Sequence, residues 1–149
     1  LAVIYTNTQR YSLAEYELKQ LIDGGYESAQ VYSVYSYVLF QQRRRDESLK
    51  YIYMAMELDP ENPNVLNSTG YIEAEEGNDL DKALELCKQA VRKQPEQAAY
   101  LDSLGWVYYK LGKLREAHRY IKRAYKMSDK HPVIKEHLKV IAKEIGALE

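Results

Sequence analysis

Residues 98–131 read AAYLDSLGWVYYKLGKLREAHRYIKRAYKMSDKH, and this stretch decides the fold. Gly105 lies among large apolar residues at helical spacing, and Ala117 and Ala124 follow seven residues apart. Small residues at such positions let two helices cross closely, while larger apolar residues three or four positions away fill the same face. Gly112 stands between the two halves and indicates a turn. The stretch therefore predicts a helix-turn-helix hairpin.

The same pattern occurs twice more upstream. Residues 29–62 read AQVYSVYSYVLFQQRRRDESLKYIYMAMELDPEN, and residues 63–97 read PNVLNSTGYIEAEEGNDLDKALELCKQAVRKQPEQ. The first of these segments has 34 residues, and the second has 35, with the extra residue in the turn at residues 77–81. Self-similarity at this period predicts stacked supersecondary units that bury a common core.

The repeat resembles the tetratricopeptide repeat (TPR) family. Its pattern consists of a large apolar residue, a Leu-Gly-like pair, an aromatic, a turn glycine, two alanines and a closing proline. The matching residues in residues 98–131 are Leu101, Leu104, Gly105, Tyr108, Gly112, Ala117 and Ala124, with Asp129 in the place of proline. Those in residues 63–97 are Leu66, Gly70, Gly77, Ala83, Ala90 and Pro95, and those in residues 29–62 are Tyr32, Tyr35, Ser36, Leu39, Ser48, Ala55 and Pro60. The resemblance implies an all-α fold, a right-handed α-solenoid of TPR hairpins.

We expect residues 1–149 to form a single TPR domain. Residues 1–28 are predicted to be part of a preceding repeat, with a helix at residues 12–23, and residues 132–149 a C-terminal capping helix. Because the chain begins without methionine and within a helical pattern, we expect it to be part of a longer protein. Two residues depart from the family pattern: Thr69 replaces a leucine, and Glu73 replaces an aromatic. We therefore expect the repeat at residues 63–97 to pack differently or to supply a partner for the glutamate.

The resemblance also implies where a partner would bind, because the first helix of each TPR hairpin lines the concave surface. Three aromatic residues, Tyr37, Tyr71 and Trp106, occupy the same position in successive repeats. Aromatic rings offer a large contact area at low entropic cost, and polar neighbours fix the register of a bound peptide. An alternative is that these rings pack between adjacent first helices. The predicted groove residues are Ser33, Tyr37, Phe40, Gln41, Asn67, Tyr71, Ala74, Glu75, Asp102, Trp106, Tyr109 and Lys110.

The sequence thus predicts an adaptor or scaffold that binds a protein or peptide segment in the groove. A second hypothesis is a self-assembling scaffold, a homo-oligomer formed through the solenoid ends. A third is binding of nucleic acid or an acidic surface along a basic ridge, although a solvated helix exterior is the simpler interpretation of that ridge. Its residues are Lys113, Arg115, Arg119, Lys122, Arg123 and Lys126.

Charge and residue usage narrow the function classes. Residues 1–97 carry 10 basic and 16 acidic side chains, whereas residues 98–149 carry 11 and 6, and neither half is basic enough to indicate nucleic acid by charge alone. Cys87 and the three histidines lack metal-ligand spacing, and no phosphate-binding loop or catalytic constellation occurs. We therefore predict no enzyme activity, no cofactor, no metal and no small-molecule substrate. No apolar run is long enough to span a bilayer.

Some TPR domains bind chaperone peptides through a carboxylate clamp of lysine, asparagine and arginine on successive first helices. The matching positions in one frame are Ser33, Tyr37, Ser68, Ala99 and Ser103, and those in the next frame are Asn67, Tyr71, Ser103, Val133 and His137. Neither frame offers a lysine or arginine, so the sequence argues against Hsp70/Hsp90-type recognition.

The C-terminal part carries a narrower resemblance. YLDSLGWVYYKLGK at residues 100–113, followed by HPVIKEHL, is similar to the last repeats of bacterial envelope TPR proteins. This similarity implies a bacterial source and a role in an envelope assembly. The sequence leaves the compartment open between bacterial periplasm or envelope and cytoplasm.

Overall fold

The computed structural model describes residues 11–148, and within that range every regular element is an α-helix. The eight described helices are α1 Tyr11–Asp23, α2 Ala29–Gln41, α3 Arg45–Leu58, α4 Pro63–Glu76, α5 Leu80–Lys93, α6 Ala98–Lys110, α7 Leu114–Met127 and α8 Pro132–Leu148. The predicted all-α class and the helix at residues 12–23 are confirmed, whereas residues 1–10 of the predicted partial repeat lie outside the described range. The chain divides into two compact units, Leu1–Thr69 and Gly70–Glu149, and the division falls within α4.

In the first unit, α2 and α3 cross at two buried serines. The Ser36 hydroxyl donates to the Ser48 carbonyl oxygen at 2.7 Å, and the Ser48 hydroxyl donates to the Ser36 carbonyl oxygen at 2.8 Å. Both serines are fully buried. Without the other helix, each buried hydroxyl would have no hydrogen-bond partner, which would cost free energy. Around this crossing, α1 packs on α2, and its Ala14 and Leu18 join Tyr35, Val38 and Leu39 in a common core.

In the second unit, the corresponding crossings use glycine. A Cβ on Gly105 of α6 would overlap the Ile121 side chain of α7 and lie 3.1 Å from the Ala117 carbonyl oxygen. A Cβ on Gly70 of α4 would lie 2.6 Å from the Cys87 Sγ of α5. The core that forms around these crossings continues into α8, which contributes Ile134 and Ile141.

The hairpin turns share a left-handed residue just after the first helix. Gly77 and Gly112 have φ angles of 70° and 80°, and Arg43 takes the same conformation with a φ of 63°. Arg44, the next residue, pairs with Glu15 of α1 and, at 2.7 Å, with Glu47 of α3. These hydrogen bonds raise the pKa of Arg44 and lower that of Glu47. The bond to Glu15 connects the turn between α2 and α3 to helix α1.

Both departures from the family pattern find partners in the structure. The Glu73 carboxylate lies 3.6 Å from the Lys82 Nζ, so the charge that replaces an aromatic ring is paired. Thr69 is buried, and its hydroxyl donates to the Val65 carbonyl oxygen at 2.7 Å within the same helix. Cys87 is fully buried, and burial raises the pKa of its thiol to about 12.

Changing Gly105 to Ala should destabilise the second unit, although alanine is the better helix former by about 1 kcal/mol. The overlap with Ile121 forces the helices apart, and we expect the free energy of unfolding to fall by about 1–3 kcal/mol in urea denaturation. Gly146 in α8 is the matched control, since a Cβ there meets no atom within 4 Å. Gly146→Ala should leave stability unchanged or raise it, and equal losses for both variants would contradict close packing at Gly105.

Candidate partner-binding site

Trp106 is the centre of an aromatic and polar cluster in the second unit. Its indole N–H donates to the Glu75 Oε1 of α4. Its ring stacks on the His137 imidazole of α8, with centroids 4.3 Å apart and planes at 24°, and it lies 4.7 Å from the ring of Tyr109. Three helices therefore meet at this half-buried side chain.

Lys110 adds a positive charge to the same cluster. Its Nζ lies 3.7 Å from the Glu75 Oε1 and 5.7 Å from the centroid of the Trp106 ring. About a third of the Lys110 side chain and a quarter of the Glu75 side chain are exposed. The pair is therefore open to solvent on one side, while the indole N–H holds the carboxylate in place on the other.

Asp102, one turn before Trp106 on α6, binds the capping helix. The His137 Nδ1 lies 2.9 and 3.0 Å from the two carboxylate oxygens of Asp102. Because a carboxylate oxygen accepts, the imidazole donates from Nδ1. Further along α6, the Tyr109 hydroxyl donates to the Glu144 Oε1 at 3.3 Å, and burial, with the Glu144 charge second, raises the pKa of Tyr109.

The structure brings part of the predicted groove together. Glu75, Trp106 and Lys110 contact one another, whereas Asp102 and Tyr109 point towards α8. Ala74 is buried in the core of this unit. The seventh predicted residue of the unit, Tyr71, is half-buried on α4.

The remaining predicted residues belong to the first unit. Ser33 is fully buried and donates to the Gln30 carbonyl oxygen at 2.9 Å, so its hydroxyl is occupied within its own helix. Tyr37 is half-buried and hydrogen-bonds Tyr11 of α1. Asn67 is half-buried, and its Oδ1 has no hydrogen-bond partner within the described residues. Phe40 and Gln41 are half-buried as well.

Two residues of the site were not among the predicted groove residues, namely His137 and Glu144. Both lie on α8, which was expected only to cover the end of the last hairpin. The available signal was the repeat register, because α8 begins 34 residues after α6, as a further first helix would. In that register Val140 takes the position of Trp106, and its side chain is 38% exposed.

The contacts also bear on the alternative that the aromatic rings pack between helices. The ring of Trp106 has His137, Tyr109 and Lys110 as neighbours within the second unit. Trp106 is therefore a packing residue within the second unit. The Glu75 and Lys110 side chains beside it are partly exposed to solvent.

Residues 11–148 contain neither a candidate metal site nor a candidate membrane span. No group of three His, Cys, Asp or Glu side chains there is placed to hold a metal ion. None of the helices in that range combines the length and the apolar character that a membrane span requires.

Comparisons with known proteins support the repeat architecture. Two tetratricopeptide repeat models match, one at residues 36–99 and one at residues 70–130. The TPR repeat-containing protein PA4667 of Pseudomonas aeruginosa is 31% identical over 102 residues, which are 67% of this chain and 17% of that protein. The protein O-mannosyl-transferase TMTC1 of Homo sapiens is 30% identical over 110 residues, 72% of this chain and 12% of that protein. The chain thus spans less than a fifth of the length of either relative.

A solved structure agrees at the level of the fold. The first TPR of Spaghetti (RPAP3), bound to the HSP90 peptide SRMEEVD, matches with a TM-score of 0.64 and 20% sequence identity. The match covers 80% of this chain and 94% of that one.

Changing His137 to Ala should destabilise the second unit. The change leaves the buried Asp102 carboxylate without its donor and removes the ring stacked on Trp106. We expect the free energy of unfolding to fall by about 1–3 kcal/mol, measured by circular dichroism in urea. A double-mutant cycle with Asp102→Ala should give a coupling of at least about 0.5 kcal/mol.

Lys139 provides the control on the same helix, because its side chain is exposed and forms a surface ion pair with Glu136, at 3.5 Å. Lys139→Ala should change stability by less than about 0.5 kcal/mol. Equal effects at the two positions, or additive effects in the cycle, would show that α8 is not held through His137.

Proposed function

The chain belongs to the tetratricopeptide repeat family, and we propose that it is a scaffold that binds a segment of a partner protein. In the second unit the binding face is formed by α4 and α6 and continued by α8. The observation that carries the proposal is the Glu75–Trp106–Lys110 cluster, an aromatic ring and a charge pair held in fixed positions at the surface.

The fixed geometry of this cluster favours binding. Long charged side chains lose rotamer freedom when a partner immobilises them, at a cost of about 0.5–1.5 kcal/mol each. Glu75 is already held by the Trp106 N–H, and Lys110 by both the carboxylate and the ring, so part of that cost is met in the free protein. Tyr71, one turn before Glu75 on α4, adds an aromatic side chain to the same helix.

The charges of the cluster indicate what kind of segment would fit. Glu75, Asp102 and Glu144 outnumber Lys110, and Lys110 is already paired with Glu75. A ligand that ends in a carboxylate, as the HSP90 peptide bound to RPAP3 does, would find no uncommitted lysine or arginine in this cluster. We therefore expect a segment with an apolar or basic side chain over Trp106 and Glu75, bound without catalysis.

The relatives support a binding role more than a chemical one. The TPR segment is the part that this chain shares with PA4667 and with TMTC1. TMTC1 is a transferase, and the shared segment makes up 12% of its length. A bacterial source and an envelope assembly are finer parts of the proposal. They rest on the Pseudomonas aeruginosa relative and on the resemblance of residues 100–113, and fractionation of cells of the source organism would test the envelope location.

The test uses two variants and a partner captured from lysate of the source organism. Tyr71→Ala combined with Lys110→Glu removes an aromatic and reverses a charge on the proposed face. We expect a partner bound there to lose at least about tenfold in affinity, since central interface residues cost 1–2 kcal/mol or more. Because Trp106 is the only tryptophan, its fluorescence should change when the captured segment is added to the unaltered protein.

Tyr53→Ala is the matched control, because Tyr53 is an exposed aromatic on α3, a second helix. Circular dichroism should show that all variants keep their helices. Retention of the same partner with equal affinity by the double variant and the control would place the function on another surface.

A further inference from the structure

The outer face of α7 carries a stripe of cations that the partner-binding site does not use. The basic ridge consists of residues that are all exposed, namely Lys113, Arg115, Arg119, Lys122, Arg123 and Lys126. Arg115, Arg119, Lys122 and Lys126 follow the spacing i, i+4, i+7 and i+11, which aligns them along one side of the helix. At a rise of 1.5 Å per residue, the stripe from Arg115 to Lys126 is about 16 Å long.

The ridge lies opposite the core of the second unit. Ala117, Ile121 and Ala124 on the inner side of α7 are fully buried. The stripe is therefore presented outwards by a helix whose other side is fixed, so a partner would meet a rigid surface. The single carboxylate on α7 is Glu116, in the first turn, where a helix N-terminus favours negative charge.

The ridge cations differ from other cations of the described chain in their partners. Lys82, Arg92, Lys110 and Lys139 each have a carboxylate within 4 Å. Among residues 11–148 no ion pair involves any of the six ridge cations. Five like charges on α7 and a sixth at its N-cap repel one another, and an anionic partner would relieve that repulsion.

One ridge side chain is already restrained for binding. The Arg119 guanidinium lies 5.1 Å from the centroid of the Tyr120 ring, and Tyr120 in turn stacks on Tyr108 at 5.6 Å with nearly parallel planes. A guanidinium held by a ring loses less rotamer entropy when it pairs with a carboxylate, and its fork geometry allows two hydrogen bonds to one carboxylate.

We propose that the basic ridge of α7 docks an acidic segment of a partner protein, separately from the Trp106 cluster. The stripe is one helix wide, which matches a single polypeptide segment with carboxylates every third or fourth residue. A membrane or a nucleic-acid duplex extends well beyond 16 Å and would also approach the carboxylates of this unit, because residues 70–149 carry 13 acidic beside 15 basic side chains. On α7 a single large apolar side chain is exposed, Met127 at the C-terminal end, which is too little for insertion into lipid.

The experiment titrates the protein with a synthetic helical peptide that carries glutamate at alternating spacings of three and four residues. The same peptide with glutamine in place of glutamate is the reference, and fluorescence anisotropy of a labelled peptide reports binding at low and at physiological salt. We expect the glutamate peptide to bind more tightly than the glutamine peptide, and its affinity to weaken as salt screens the charges. Arg119→Gln, Lys122→Gln and Arg123→Gln together should weaken it about tenfold, at roughly 0.5 kcal/mol for each exposed pair.

A control variant changes the net charge equally at another place. Lys19, Arg43 and Lys50 are exposed in the first unit, and changing all three to Gln should alter the affinity by less than about twofold if the ridge is the site. Equal binding of the two peptides, or an equal loss in ridge and control variants, would overturn the proposal.

Two further titrations test a membrane and a nucleic acid as partners of the ridge. They use anionic phosphatidylserine vesicles and a DNA duplex at the same salt. Tighter binding of either than of the glutamate peptide would also overturn the proposal. The ridge variant leaves Trp106 and its neighbours unchanged, so a failure of this docking surface is distinguishable from a failure of the proposed partner-binding face.

Discussion

The close crossing of the two helices in each hairpin is the constraint on which the rest of the structure depends. It needs a small residue on each side: Ser36 and Ser48 in the first unit, and Gly105 and Ala117 in the second. The serines gain reciprocal hydrogen bonds across the crossing, whereas glycine makes room for Ile121. Both solutions bring the helix backbones together, so that the large apolar side chains beside the crossing are buried rather than exposed.

Burial of one side of a helix determines what its other sides can do. On α6, Leu101, Leu104 and Val107 point into the core, whereas Trp106 is half-buried and Lys110 is exposed. On α7, Ala117, Ile121 and Ala124 occupy the inner side, and the cations of the basic ridge lie on the opposite side. The candidate binding face and the basic ridge are thus consequences of the same periodicity, since a helix that buries one stripe must present the others.

The polar contacts of the Trp106 cluster add specificity to this scaffold. Asp102 is buried, and without the His137 donor its carboxylate would carry a desolvation cost. The structure meets that cost with a residue from α8, and the same imidazole stacks on Trp106. The helix expected only to cover an apolar end therefore also orients side chains of the candidate site.

The sequence by itself determined the all-α class, the hairpins and the residues at their crossings, because these follow from a local period that sterics and burial impose on each segment. It also placed Trp106, Glu75 and Lys110 on the first helices of their hairpins. Only the tertiary structure decided which of them touch. The Glu75–Trp106 and Asp102–His137 contacts join residues 31 and 35 positions apart, on different helices. Such pairs depend on how far one hairpin is translated and rotated against the next. Periodicity specifies which side of a helix is buried, but it leaves that offset to the packing of all the side chains between the hairpins.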